Sequence, residues 1–105
     1  MTPNWDLINR VVEQIDSRPE TWNQGVWKAE TKCGTAYCFA GWTAAMEGAR
    51  WHPLWSSTLD DGTGVWAFAH DHLGLSGDQS EALFRGDNSR EVIEDVLDMI
   101  REGAL

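Results

Sequence analysis

Two cysteines, Cys33 and Cys38, and three histidines, His52, His70 and His72, are the side chains whose chemistry and spacing bear first on function. The cysteines stand at C-x4-C spacing, at the edge of what a zinc site uses. A tetrahedral site would need two more ligands, which the histidines would have to supply. His70 and His72 are two apart in a segment that reads as helix, so they point in widely separated directions and cannot both reach one ion. No metal and no cofactor is therefore expected. Each of these two histidines lies four residues after an aromatic, His70 after Trp66 and His72 after Phe68, which favours packing along its own helix face.

The second possible chemistry is a nucleophile. In KCGTAYCFAGW, residues 32–42, Thr35 reads as the N-cap of a helix and Cys38 as its third residue, where free backbone N–H groups favour anions and can lower a thiol pKa. The string echoes the CGSCW-type motif of papain-like cysteine proteases. However, the spacing from NQG at 23–25 is wrong, 105 residues are too few for that fold, and no strand carries a suitable histidine. Packing is the simpler account. Cys38 and Trp42 are i,i+4 neighbours, a favourable soft contact, and Ala40, Gly41, Ala44 and Ala45 let other helices approach. Cys33, Gly34, Thr35, Cys38, Gly41 and Trp42 are thus read as a structural motif with Cys38 buried and no catalytic residue. A cysteine enzyme using Cys38 is an alternative.

The elements that must position these groups are mostly helical. Thr2 as N-cap and Pro3 at the first helical position open a helix whose stripe is Trp5, Ile8, Val11, Val12 and Ile15, closing near Ser17. PETWNQGVW, residues 19–27, reads as a turn with a short helical piece, Trp22 and Trp27 folding back on the core. Residues 34–47 read as a second helix, apolar on nearly every face and therefore central. Residues 49–64 form an irregular Trp-rich loop with room for one or two short strands around Trp51 and Leu59. A third helix covers about residues 65–73 and ends at Gly74. Ser76 with Gln79 is a capping box opening a fourth, which ends by Gly86. Asn88 with Glu91 repeats the device before a fifth helix that runs to about Glu102. The expected fold is all-α: one compact domain over 1–105, a bundle of about five helices.

The fifth helix has the clearest pattern. Val92, Ile93, Val96, Leu97 and Ile100 share one face, and Glu91, Glu94, Asp95, Asp98 and Glu102 form a ridge opposite. The charge of the whole chain leans the same way. Residues 1–50 carry five Lys/Arg against six Asp/Glu and residues 51–105 three against eleven, so a net −8 of the total −9 lies in the second part. Such a field repels nucleic acid and anionic membrane and favours a basic protein surface. LGLSGDQSEALF has the rhythm of a helix-turn-helix, but its second helix would present Asp78, Gln79 and Glu81 with only Arg85 nearby, so direct nucleic-acid binding is not expected. The start of the chain has no basic region followed by an apolar one, and the longest nearly apolar run, residues 37–46, is far short of the ~20 needed to span a bilayer. A cytoplasmic protein with free thiols is expected.

CGTAYCFAGW, followed by HLGLSGDQSEALF and a terminal amphipathic helix, resembles a group of short proteins of unassigned function found in phages and bacteria. That group is marked by a CGT, a second cysteine three residues on, a small helix ending in GW or GH, and a later LGL...LF segment. The resemblance spans roughly residues 20–102 and implies a phage or mobile-element accessory protein, working in a host cytoplasm if phage-encoded. It implies no particular activity. The chain departs from the group in the Trp-rich segment from Trp51 to Trp66.

The function expected is therefore non-enzymatic: binding a protein partner with a basic surface, with Trp51 and Trp55 as anchors and the ridge of Glu91, Glu94, Asp95, Asp98 and Glu102 tuning its approach. A DNA-mimicking inhibitor of a basic nucleic-acid-binding protein is the alternative, distinguished by competition with DNA. The sequence specifies neither the partner nor the oligomeric state. Trp42→Ala is expected to cost about 3–5 kcal/mol, the usual loss for a core aromatic, measurable as a large drop in melting temperature.

Overall fold

Asn4, and not Thr2, starts the first helix. In the structure, a computed structural model that describes residues 2–32 and 34–105, α1 spans Trp5–Ser17 and the Asn4 side chain accepts a hydrogen bond from the Leu7 N–H at 3.2 Å. The segment before it is held elsewhere. The Asn4 N–H donates to Leu73 O at 2.8 Å and its Nδ2 to His72 O at 3.4 Å, so residues ahead of the helix lie over the end of another one. Leu7, Ile8, Val11 and Ile15 are buried. After α1 comes a single 3-10 turn, Pro19–Thr21.

The all-α expectation is corrected at residues 28–37. β1, Lys28–Thr31, pairs antiparallel with β2, Gly34–Tyr37, in the register Lys28 with Tyr37, Ala29 with Ala36, Glu30 with Thr35 and Thr31 with Gly34. The sequence there alternates with a period of two. Ala36 is buried, while Lys28, Glu30, Thr35 and Tyr37 share the other face, where Thr35 Oγ1 donates to the Glu30 carboxylate at 2.9 Å. Gly34 has φ +111°, a conformation that L side chains rarely adopt and that interrupts any helix at this point. The helix read at 34–47 is consequently only α2, Phe39–Met46. Cys33 lies outside the described residues.

α2 is nonetheless the central helix. Phe39, Ala40, Gly41, Thr43 and Ala44 are all buried, and it packs on α1 and, most extensively, on α3, Val65–Leu73. A Cβ at Gly41 would meet the carbonyl oxygen of Trp27 and the side chain of Tyr37, so this glycine is what lets the chain entering β1 lie against the helix. Trp42 is partly buried beside Tyr37, and its Nε1 donates to Thr21 O at 2.8 Å. Its truncation would remove less apolar area than for a full core position while leaving that carbonyl unpaired, which puts the expected cost near the lower end, about 3 kcal/mol.

The remaining helices are α4, Gly77–Leu83, and α5, Arg90–Arg101. The Ser76–Gln79 capping box is present in full. The second box is not. Ser89 caps α5 by accepting from the Val92 N–H at 3.2 Å, while Asn88 is buried and gives its Nδ2 protons to Ala82 O and Leu83 O, closing the end of α4. α5 lies antiparallel to α1. Arg90 reaches Asp16 through two bonds of 2.8 and 3.0 Å, and eleven residues later the Arg101 guanidinium sits 4.7 Å over the ring of Trp5.

One side chain joins these parts. Gln24 is buried; its Oε1 accepts from the Phe39 N–H and from Trp22 Nε1, both at 3.0 Å, and its Nε2 donates to Leu83 O at 3.0 Å and Arg85 O at 3.1 Å. Gln24→Leu keeps much of the volume but strands the Phe39 N–H and the Trp22 indole N–H, while the Leu83 and Arg85 carbonyls keep their bonds from Asn88, and it is expected to cost about 3 kcal/mol. Gln14→Leu, which breaks a single 3.4 Å bond to Thr21, is expected to cost under about 1 kcal/mol. Urea unfolding of the two variants in parallel checks the contrast.

Candidate functional site

The loop from Arg50 to Gly64 is ordered by its own bonds. Trp51 and Leu59 form an isolated antiparallel bridge, as do Thr58 and Gly64, which supplies the short extended pieces expected there. Trp51 Nε1 donates to Ser56 O at 2.9 Å, closing a tight excursion over residues 52–55. Inside it His52 Nδ1 accepts from the Leu54 N–H at 3.0 Å, so the neutral ring carries its proton on Nε2, and the ring stacks on Trp55 at 4.3 Å.

Trp51 and Trp55, paired in the sequence reading, occupy different environments. Trp51 is half-buried, with the Tyr37 ring at 5.2 Å and Lys28 Nζ 5.5 Å from its centroid, so it fastens the loop to the outer face of the hairpin. Trp55 is 60% exposed. Leu54, which the sequence reading did not single out, is 79% exposed, the most open of the large apolar side chains among the described residues. Trp51, His52, Leu54 and Trp55 line one side of a notch of about 220 Å³, with Lys28 and Glu30 of β1 on the other. An apolar tip displayed on a loop already fixed by hydrogen bonds loses little further entropy when a partner covers it.

The five ridge carboxylates of α5 are all exposed, but they are not equivalent. Glu94 is paired with Arg90 at 3.1 Å and Asp98 with Arg101 at 2.9 Å, whereas Glu91, Asp95 and Glu102 have no ion-pair partner among the described residues. Asp16, hydrogen-bonded to Arg90, is held below the usual carboxylate range. Val92, expected in the core, is 41% exposed at its edge. Among the described residues, no hydrogen bond, ion pair or ring contact joins the ridge to the Trp51–Trp55 loop.

Cys38 is not the third residue of a helix that begins at Thr35. It is itself the N-cap of α2, its Sγ accepting from the Gly41 N–H at 3.3 Å and its own N–H donating to Val26 O. Cys38 is buried, as expected, and the lowered pKa that a helix start could give a thiol is not found. Burial raises the thiol from 9.0 to about 11, against the smaller opposing effect of the backbone N–H groups. Burial thus disfavours the thiolate form at neutral pH. His70 and His72 stack on Trp66 and Phe68 at 5.1 and 3.9 Å, the same-face packing read from the sequence, and His70 Nδ1 is 2.7 Å from the buried Ser80 Oγ. Among the described residues no group of three or more His, Cys, Asp or Glu is placed to hold a metal ion, and no helix is long and apolar enough to cross a membrane.

No protein-family model, curated protein or solved structure matches the chain.

The buried thiol makes a pH-dependent contribution with a definite sign. Its folded pKa lies above the unfolded one, so the stabilisation is fully present below about pH 9 and is lost as the pH rises toward 11. The stability of the parent relative to Cys38→Ser, which keeps a capping oxygen but does not titrate, is expected to fall by about 2 kcal/mol over this window. Urea unfolding at about pH 8 and about pH 10.5 measures it. Parallel behaviour of the two proteins would mean that the thiol is not insulated.

Proposed function

We propose that this chain is a small acidic, non-enzymatic binding protein whose partner is a protein with a basic surface. It acts in the cytoplasm, as a phage or mobile-element accessory protein would act on a host factor. The observation that carries the reading is the apolar tip of Leu54 and Trp55, held out from the domain on a loop fixed by Trp51 Nε1 to Ser56 O and by the Trp51–Leu59 bridge. Exposed Trp and Leu side chains on a preorganised loop suit a contact in which a few anchors supply most of the binding energy. The uneven charge, −8 in residues 51–105, suits steering toward a basic surface. Membrane and nucleic acid, both anionic, are disfavoured by the same field.

The alternatives have less support. A DNA mimic needs regularly spaced unneutralised anions, and two of the five ridge carboxylates are already tied to arginines of the same helix. A cysteine enzyme using Cys38 would need a thiolate that burial suppresses.

The test is capture of host proteins on immobilised parent and on Trp55→Ala with Leu54→Ser. A partner held by the parent and lost by the double variant, with helical content and melting unchanged, is the expected result. Once that partner is purified, the loop substitutions are expected to raise its dissociation rate about tenfold or more. Charge reversal at Glu91, Asp95 and Glu102 should mainly slow association and flatten its salt dependence. Equal capture by parent and loop variant would show that the loop is not the contact.

A further inference from the structure

We infer that the face shared by α4 and α5 is a second docking site, shaped and charged for a basic amphipathic helix of a partner protein. The observation is the order of side chains around α5. Turning about 100° per residue, the buried Ile93, Leu97 and Ile100 are followed by Val96 and then by Val92 and Met99, which are 41% and 40% exposed. Next come Asp95, Glu102 and Glu91, the three carboxylates without ion-pair partners, and only beyond them Asp98 and Glu94, neutralised by Arg101 and Arg90 on the side that meets α1. The ridge is therefore split. Its paired members support the α1–α5 contact, and its unpaired members border an open apolar shoulder.

Val92, Val96 and Met99 recur at spacings of four and three, the seam that a second helix fills with its own apolar side chains. A groove of about 330 Å³ runs beside Val92 and Val96 between α4 and α5, lined by these two with Ala82, Arg85, Asp87 and Asn88. The one cation in it, Arg85, is bound to Asp87 through two bonds of 3.2 and 3.1 Å and so does not offset the carboxylates across the seam. An apolar strip edged by unneutralised acid on one side matches a helix with a leucine-like strip edged by lysine or arginine. Such a helix gains its specificity from the flanking charges and its hold from the strip. The inference rests on the preceding reading for the premise that the chain binds a basic protein and shares with it the carboxylates Glu91, Asp95 and Glu102, but it uses no residue of the Trp55 loop.

The probe is a synthetic peptide with leucines at i, i+3, i+4 and i+7 and lysines between, compared with a scrambled peptide of the same composition, each followed by fluorescence anisotropy against the whole chain. The parent is expected to bind the amphipathic peptide at least about tenfold more tightly than the scrambled one. Val92→Asp and Met99→Asp, both at exposed positions, should each weaken binding about tenfold, and Glu91→Gln/Asp95→Gln/Glu102→Gln should weaken it and flatten its salt dependence. Trp55→Ala should leave it unchanged, so a failure of the loop reading and a failure of this one are separately visible. Equal binding of the two peptides, or parent-like affinity in both aspartate variants, overturns the proposal. So does sedimentation showing a parent dimer that Val92→Asp dissociates, which would assign the face to a second copy of the chain.

Discussion

The carboxamide of Gln24 spends all four of its hydrogen bonds inside the protein, joining its own segment to the start of one helix and the end of another. It takes the N–H of Phe39 at the start of α2 and the indole N–H of Trp22, and it gives its protons to the carbonyls of Leu83 and Arg85 where α4 ends. The Leu83 carbonyl ends one helix and the Phe39 N–H begins another, so one side chain bonds two helix termini where the helices themselves supply no partner. Because the donors and acceptors facing it are unambiguous, the amide has a single orientation. Asn88 completes the closure of α4 from the opposite side. Without this pair, a seven-residue helix would have little to define where it stops.

Other polar anchors follow the same logic at smaller scale. The indole N–H groups of Trp22, Trp42 and Trp51 each donate to a loop oxygen, so three large apolar bodies are fixed at one end by a directional bond and packed at the other. Trp55 has no such tether among the described residues and stacks instead on His52. The difference separates these three tryptophans, which hold the domain together, from Trp55, which faces outward.

Much of this was legible in the sequence where local chemistry and periodicity agreed. α3, the Ser76 capping box and the extent of α5 followed from caps, glycines and a 3.6-residue pattern. The hairpin was not, because GTAY runs through the single residue Cys38 into the apolar FAGW, and a strand of four residues followed so closely by a helix of eight has the composition of one longer helix. Ser89 rather than Asn88 caps α5 because Asn88 is needed by α4, a tertiary demand that no local pattern records. At the candidate surfaces, Trp51 and Trp55 stood out as tryptophans outside a helix. Leu54 carried no periodic signal, and Lys28 and Glu30 reach the notch from β1, a segment between the turn read at 19–27 and the helix read at 34–47. Val92 was placed on the correct side of α5 but at the margin, where burial depends on how far the neighbouring helix extends.

Gly41 bears on what the motif CGTAYCFAGW means when it is met in another chain. The obstacle to a side chain at this position is the main-chain carbonyl of Trp27, and no substitution elsewhere can remove a carbonyl. Gly34, with its φ of +111°, is constrained by backbone conformation alone. The two glycines therefore behave as an address for an architecture, retained by any descendant that keeps a hairpin docked on the first turn of a small central helix, whatever its surfaces have come to bind. Chains that share the motif would share a scaffold and could differ freely in occupation.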